Sequence, residues 1–209
     1  ELLLAALGLP NVIGTYAPGQ TITGYRRVKA HQFQLTATKA FGPTLGADDW
    51  VAVGEIGYNH LDLPVGLRFN GPGVFLPSLQ SAANLASFGA IQTDGFATRN
   101  SWGYRLLTRM DFNNWIDSVT VSPRMAFAHD VKGTGPNFNE GVKSITLGMG
   151  FSFKQNWQAD ISYTSFFGGR TYSGTDPIAN TAGQSRSYAS SANPLKDRDF
   201  IAASLTYSF

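Results

Sequence analysis

The chain has no cysteine and no uninterrupted run of about 18 uncharged apolar residues, although 43% of its 209 residues are hydrophobic. The first absence excludes a disulfide scaffold and thiolate metal sites. The second excludes a transmembrane helix, so a membrane-spanning version of this chain would have to be a closed barrel. Charge is also scarce, at 14% of residues, and the net +2 is too small and too dispersed for a nucleic-acid-binding surface. The opening Glu1–Leu9 is apolar but has neither a basic flank nor a small-residue cleavage site, so it does not read as a signal peptide. An export signal is expected to lie outside it.

What the chain has in quantity is glycine (23 residues), aromatics (13%) and an alternation of period two. Counting back from Phe209, the residues Tyr207, Leu205, Ala203 and Ile201 share one face, and Ser208, Thr206, Ser204, Ala202 and Phe200 share the other. Ile145, Leu147, Met149, Phe151 and Phe153 likewise oppose Ser144, Thr146, Gly148, Gly150, Ser152 and Lys154, and Trp157, Ala159, Ile161, Tyr163 and Phe167 oppose Gln158, Asp160, Ser162 and Thr164. The same pattern runs through Trp102–Phe112 and Val119–Asp130, and less cleanly through Trp50–His60 and Tyr25–Phe41. Successive strand side chains point to opposite faces, so the pattern predicts seven two-faced strands.

Charge decides what the faces are for. In the last five predicted strands the apolar face carries no charged residue, whereas the other face carries Arg105, Arg109, Asp111, Arg124, Asp130, Lys154 and Asp160. A midplane Arg or Lys facing lipid costs about 2–4 kcal/mol, so a lipid-facing wall requires this segregation. Lys39 is the exception, close enough to a strand end to snorkel. A soluble eight-stranded barrel of lipocalin type would also alternate, but with its apolar face turned inward. The Ser-, Gly- and Thr-rich polar face and strands of about ten residues fit a tilted membrane span better.

The predicted links alternate in length. Short ones at 42–49, 113–117 and 154–156 separate long ones at 61–98, 132–142 and 169–198, the pattern of periplasmic turns and external loops. The expected fold is therefore an all-β, antiparallel, up-and-down transmembrane barrel of outer-membrane type over residues 25–209, with its C-terminus periplasmic. Residues 1–24 form an external apolar segment or a partial strand. Trp50, Phe112, Trp115, Phe153, Trp157 and Phe209 would form the periplasmic aromatic girdle. Single-chain bacterial barrels have an even strand number, so seven strands imply either an eighth within Pro10–Thr23 or the C-terminal part of a larger barrel; the second is the expectation.

Candidate sites follow from the polar face. Glu55, Arg105, Arg109, Asp111, Arg124, Asp130, Lys154 and Asp160 are the candidate lumen-lining residues, able either to bias a pore toward anions or to pair and brace the wall. Ile201, Ala203, Leu205, Tyr207 and Phe209 are the candidate insertion signal read by the barrel assembly machinery. His129 and Asp130 point to opposite faces and make no dyad, no G-x-S-x-G or H-E-x-x-H motif occurs, and no cluster supplies three metal ligands; no enzyme, metal or cofactor is expected. Pro123 should distort its strand. Leu61–Thr98, with a short helix expected at Ser78–Phe88, and Leu2–Leu9 are apolar segments that could cap the barrel or capture hydrophobic solutes.

Trp102-Gly103-Tyr104, His129-Asp130-Val131, Tyr163–Gly169 (YTSFFGG) and Asn193–Phe200 (NPLKDRDF) are similar to stretches in the C-terminal half of an uncharacterised proteobacterial outer-membrane β-barrel family, DUF1302. Gln32–Gly42 and Val53–Gly57 look similar to its upstream segments. The resemblance implies an outer-membrane barrel, in contact with lipid and lipopolysaccharide, often encoded beside an inner-membrane exporter and a periplasmic partner, and handling hydrophobic compounds. The expected function is passage or hand-over of small, largely hydrophobic molecules. The alternative is a structural or docking component with a plugged lumen, and a rim hydrolase is the third.

Overall fold

In a computed structural model the chain is described over residues 19–21, 25–65, 69, 71–72, 94–154, 156–175 and 187–209. Seven strands form one antiparallel sheet: β1 (Ala30–Ala40), β2 (Asp49–Leu61), β3 (Asn100–Ile116), β4 (Val119–Lys132), β5 (Val142–Phe153), β6 (Trp157–Gly168) and β9 (Phe200–Tyr207). Their order is β1-β2-β3-β4-β5-β6-β9, a plain up-and-down meander. Between β6 and β9 stands a separate hairpin, β7 (Thr171–Thr175) with β8 (Ser187–Ser191), which the period of two does not reveal. The sheet is not closed among the described residues, and every residue of both edge strands, β1 and β9, is exposed.

Register carries the two-faced pattern across the sheet. Glu55 pairs with Arg105, Arg105 with Ala128, Ala128 with Ser144 and Ser144 with Phe166, so one row runs along the polar face. On the other face Ile56, Tyr104, His129, Lys143 and Phe167 stand in one row. Lys143 corrects the expectation of an uncharged apolar face: β5 starts two residues earlier than Ser144, and the extra turnward residue brings a lysine onto that face beside His129 and Phe167. It lies at the strand end, where an ammonium can reach water along its own stem.

The turns explain the end positions. Asp117 and Ser118 both have positive φ (38° and 71°), a two-residue hairpin whose twist matches the strands it joins. The predicted link at 113–117 is thus shorter than expected, because β3 continues to Ile116 through an irregularity between Phe112 and Ile116, with Asn114 at φ 52°. Pro123 causes no slip. It pairs with Met149 in unbroken register on the β5 side; toward β3 the ladder skips it and resumes at Phe112 opposite Val121. The missing N–H removes a ladder donor while the register on both sides is kept.

The apolar face is exposed: Phe33, Leu147, Ile161 and Leu205 are 61%, 51%, 50% and 69% accessible. Apart from Ala47 in the β1–β2 turn, the buried apolar residues gather at the long-link end, where Leu61, Phe96, Phe138, Tyr172 and Ala192 pack under the loops. Aromatics cluster at the short-turn end: Phe41 stacks on Trp50 (4.0 Å), Phe112 meets Trp115 (5.4 Å) and Trp157 meets Tyr207 (4.7 Å). The Trp50 indole donates to the Thr108 hydroxyl at 2.7 Å, which satisfies its polar handle. The helix expected at Ser78–Phe88, the Leu2–Leu9 segment and nearly all of the possible strand at Pro10–Thr23 lie outside the described residues. No helix among the described residues is long and apolar enough to cross a membrane.

Candidate functional site: the polar face of the sheet

The polar face holds most of the candidate residues and joins them in pairs. Arg105 on β3 donates to Asp130 on β4 at 2.7 Å, one step along the ladder. Arg109 reaches Asp111 on its own strand at 2.8 Å, and Asp111 accepts a further bond from the Ser122 hydroxyl at 2.5 Å. Glu55 accepts from Thr36 on β1 at 3.1 Å. Lys154 does not join the set: it lies outside β5 in a turn with φ 48°, its ammonium 5.0 Å from the Phe153 ring centre.

The third arginine makes the longest reach. Arg124 on β4 and Asp160 on β6 form a two-pronged pair, with Nη2 to Oδ1 at 2.6 Å, across the intervening β5. One glycine permits it. Gly148 is the ladder partner of Arg124, and a Cβ there would fall 2.7 Å from the guanidinium carbon, whereas a Cβ on Gly150, the ladder partner of Asp160, would stand in ordinary contact 3.7 Å from its carboxylate. Without a side chain at Gly148 the guanidinium has room to cross β5. Planar fork-to-fork geometry makes such pairs the stronger class of charge-assisted hydrogen bond.

Around this bar lies an open recess of about 430 Å³, lined by Arg109 from β3, Ser122 and Arg124 from β4, Ser152 from β5, Gln158 and Asp160 from β6, and Ser204 and Thr206 from β9. Five neighbouring strands can line one recess only if the sheet curls toward this face. The chemistry is that of a hydroxyl- and amide-rich wall in which each of the three arginines has a carboxylate partner.

The histidines stand elsewhere. His31 and His60 are directly opposed on the apolar face at the long-link end, each near the Asp62 carboxylate (3.7 and 3.3 Å). His129 faces the Tyr104 hydroxyl at 3.4 Å, on the side of the sheet opposite to Asp130. Among the described residues no group of three His, Cys, Asp or Glu side chains is arranged to hold a metal ion.

The quoted motifs turn out to be joints. In NPLKDRDF, Asn193 is 4% exposed, bonds the Leu195 amide with its side-chain oxygen (3.1 Å) and the Phe167 carbonyl with its side-chain amide (3.2 Å). A Cβ on Gly169 of YTSFFGG would sit 2.6 Å from the Asn193 Cβ, so these two motifs fit against each other where the chain returns to β9. Asp199 accepts from the Tyr163 hydroxyl (2.6 Å) and the Phe166 amide (2.9 Å), which in that order hold its carboxyl below the usual range. Two elements escaped the sequence reading: the Gly148 seat of Arg124, and Phe138. Glycines on the polar face of a strand were the available signal for both.

The family whose members match this chain over residues 1–209 is described as "Protein of unknown function (DUF1302)", and the chain belongs to it. No curated protein and no solved structure matches.

Proposed function

We propose that the chain forms part of an outer-membrane β-barrel, with β9 ending on the periplasmic side, that passes or hands over small, largely hydrophobic molecules. The observation that carries the membrane reading is that large apolar side chains line one face of the sheet while the recess and the three arginine–carboxylate pairs lie on the face toward which it curls. A lipocalin-type barrel would have the reverse arrangement. Trp50 and Tyr58 stand roughly 27 Å apart along β2 at about 3.4 Å per residue. A tilt of about 40° reduces this to roughly 21 Å, close to the apolar band of about 25 Å in such barrels.

Closure follows from direction. In an odd-numbered meander β1 and β9 run the same way, so an antiparallel wall is completed only by an odd number of further strands between them. An edge left open in hydrocarbon would strand its backbone donors and acceptors, so the complete wall has to include those strands. Lipopolysaccharide and phospholipid would then cover the apolar face, and a periplasmic partner with an inner-membrane exporter would feed or drain the lumen. Support for apolar cargo comes from an apolar cleft of about 270 Å³ at the long-link rim, lined by Val28, Leu61, Leu63, Phe69, Pro72, Ala97 and Pro136 among others.

The second reading, a structural or docking component with a plugged lumen, is favoured by the neutralisation of all three wall arginines. Two measurements test the proposal. Heat-modifiable gel migration of the protein in outer-membrane fractions is expected for an inserted barrel, and its absence sinks the membrane reading. Liposomes containing the protein should release a small aromatic dye faster than empty ones; equal release supports the plugged component.

A further inference from the structure

The link between β4 and β5 does not stand clear of the sheet but folds back over its polar face. Thr134 and Asn139 form a bridge, the Gly135 amide bonds the Phe138 carbonyl at 2.9 Å, and Thr134 is tied to Thr98 through bonds of 2.8 and 2.9 Å. At its base Asp130 accepts the Asn139 amide at 2.9 Å with the carboxylate that also holds Arg105. The tip residue Phe138 is only 8% exposed.

Phe138 rests on a floor made for it. A Cβ on Gly57 would be 2.8 Å from its ring, and one on Gly103 would be 2.9 Å away; these two glycines are ladder partners on β2 and β3. The Arg105 guanidinium lies 5.7 Å from the ring centre, within cation–π range. Among the described residues, the buried Asn59 side-chain nitrogen beside this floor and the buried Asn139 side-chain oxygen in the roof meet no hydrogen-bond partner.

We propose that Phe138, carried by the folded-in link and seated on Gly57 and Gly103, is the size-determining constriction of the passage at its long-link end. This rests on the passage reading above, because a constriction has meaning only where solute moves along the polar face. Solutes must pass the edge of the ring or displace it from its glycine seat, and Arg105 with Asp130 fixes where the ring returns.

The test is swelling of liposomes that contain the full-length protein, in arabinose and in raffinose, for the wild type, Phe138→Ala and Phe138→Leu. Heat-modifiable migration confirms that each variant is folded, and Phe151→Ala on the opposite face is the control. Phe138→Ala should raise raffinose flux at least about fivefold and arabinose flux less than about twofold, with Phe138→Leu in between. Wild-type passage of arabinose with no change in Phe138→Ala overturns the constriction and leaves the passage reading standing. A wild type closed to both sugars with an open Phe138→Ala supports the constriction; if both are closed, the constriction fails and the passage reading stands or falls on dye release.

Discussion

Arg124 and Asp160 hold each other across a strand to which neither belongs, and the residue that makes this possible is Gly148 beneath the guanidinium. Gly148→Val should break the pair without touching either charge, because the added Cβ meets the guanidinium and not the backbone. The side chains are about one-third exposed, so water screens the attraction and the loss should be small. A double-mutant cycle with Arg124→Met and Asp160→Asn, read by urea unfolding in detergent, should return a small favourable coupling. Zero coupling would make the bar an ornament of the wall.

The two faces should respond oppositely to charge. Leu147→Arg or Phe151→Arg places a guanidinium on the exposed apolar face at about 2–4 kcal/mol near midplane, whereas Thr146→Arg or Ser152→Arg places it among the hydroxyls and paired ions of the recess side. The first pair should lower heat-modifiable protein in the outer membrane severalfold and the second pair far less. Thr146→Arg carries the extra loss of the Thr146–Thr164 bond at 2.9 Å, so Ser152→Arg is the cleaner comparison. Equal tolerance on both faces would point back to a soluble barrel.

Acid should loosen the long-link end of the β6–β9 pair. The Tyr163 hydroxyl and the Phe166 amide favour ionised Asp199, so its folded-state pKa lies below the ordinary value of about 3.9. A depressed carboxylate contributes stability that is present above its unfolded pKa and is lost as pH falls through the folded one. The Phe166 amide resonance should therefore titrate with a midpoint below that of an Asp in the unfolded chain, and in Asp199→Asn it should stay flat over that range. A midpoint at or above the unfolded-chain value would show that Asp199 is not held by these two donors.

Phe209 is fully exposed, and its nearest ring, Tyr207, is 6.2 Å away, so it contributes little to packing in the isolated chain. Deleting it should leave the unfolding midpoint of refolded protein nearly unchanged yet reduce outer-membrane levels in cells, the result expected for a residue read during insertion. Phe153→Ala is the control, removing an aromatic from the same end of an internal strand. Equal outer-membrane levels for the two variants would reduce Phe209 to an ordinary girdle residue.

The seven strands of the main sheet were legible because a two-faced strand writes its face into every second residue, and from Ile56 to Leu205 the predicted parity matches the register. Partners were less legible. Alternation told that Arg124 and Asp160 share a face, but not that the pair skips β5, because that depends on register and on the empty space over Gly148. The β7–β8 hairpin was missed since its polar, small residues carry no apolar alternation. Phe138 was hidden for a different reason: a single aromatic in a Gly- and Asn-rich link gains its meaning from Gly57 and Gly103, far away in sequence and adjacent only once β2 and β3 have paired.

An odd number of crossings also makes the sheet a one-way street for its own polypeptide. The chain enters β1 at the long-link end, at Ala30, and leaves β9 at the short-turn end, at Tyr207. In the membrane-spanning wall proposed above, Tyr25–Lys29 and Ser208 would lie on opposite sides. A tag placed before Ala30 and a tag placed after Tyr207 would then be reached by a protease from opposite sides, a sidedness that no even-numbered meander could have.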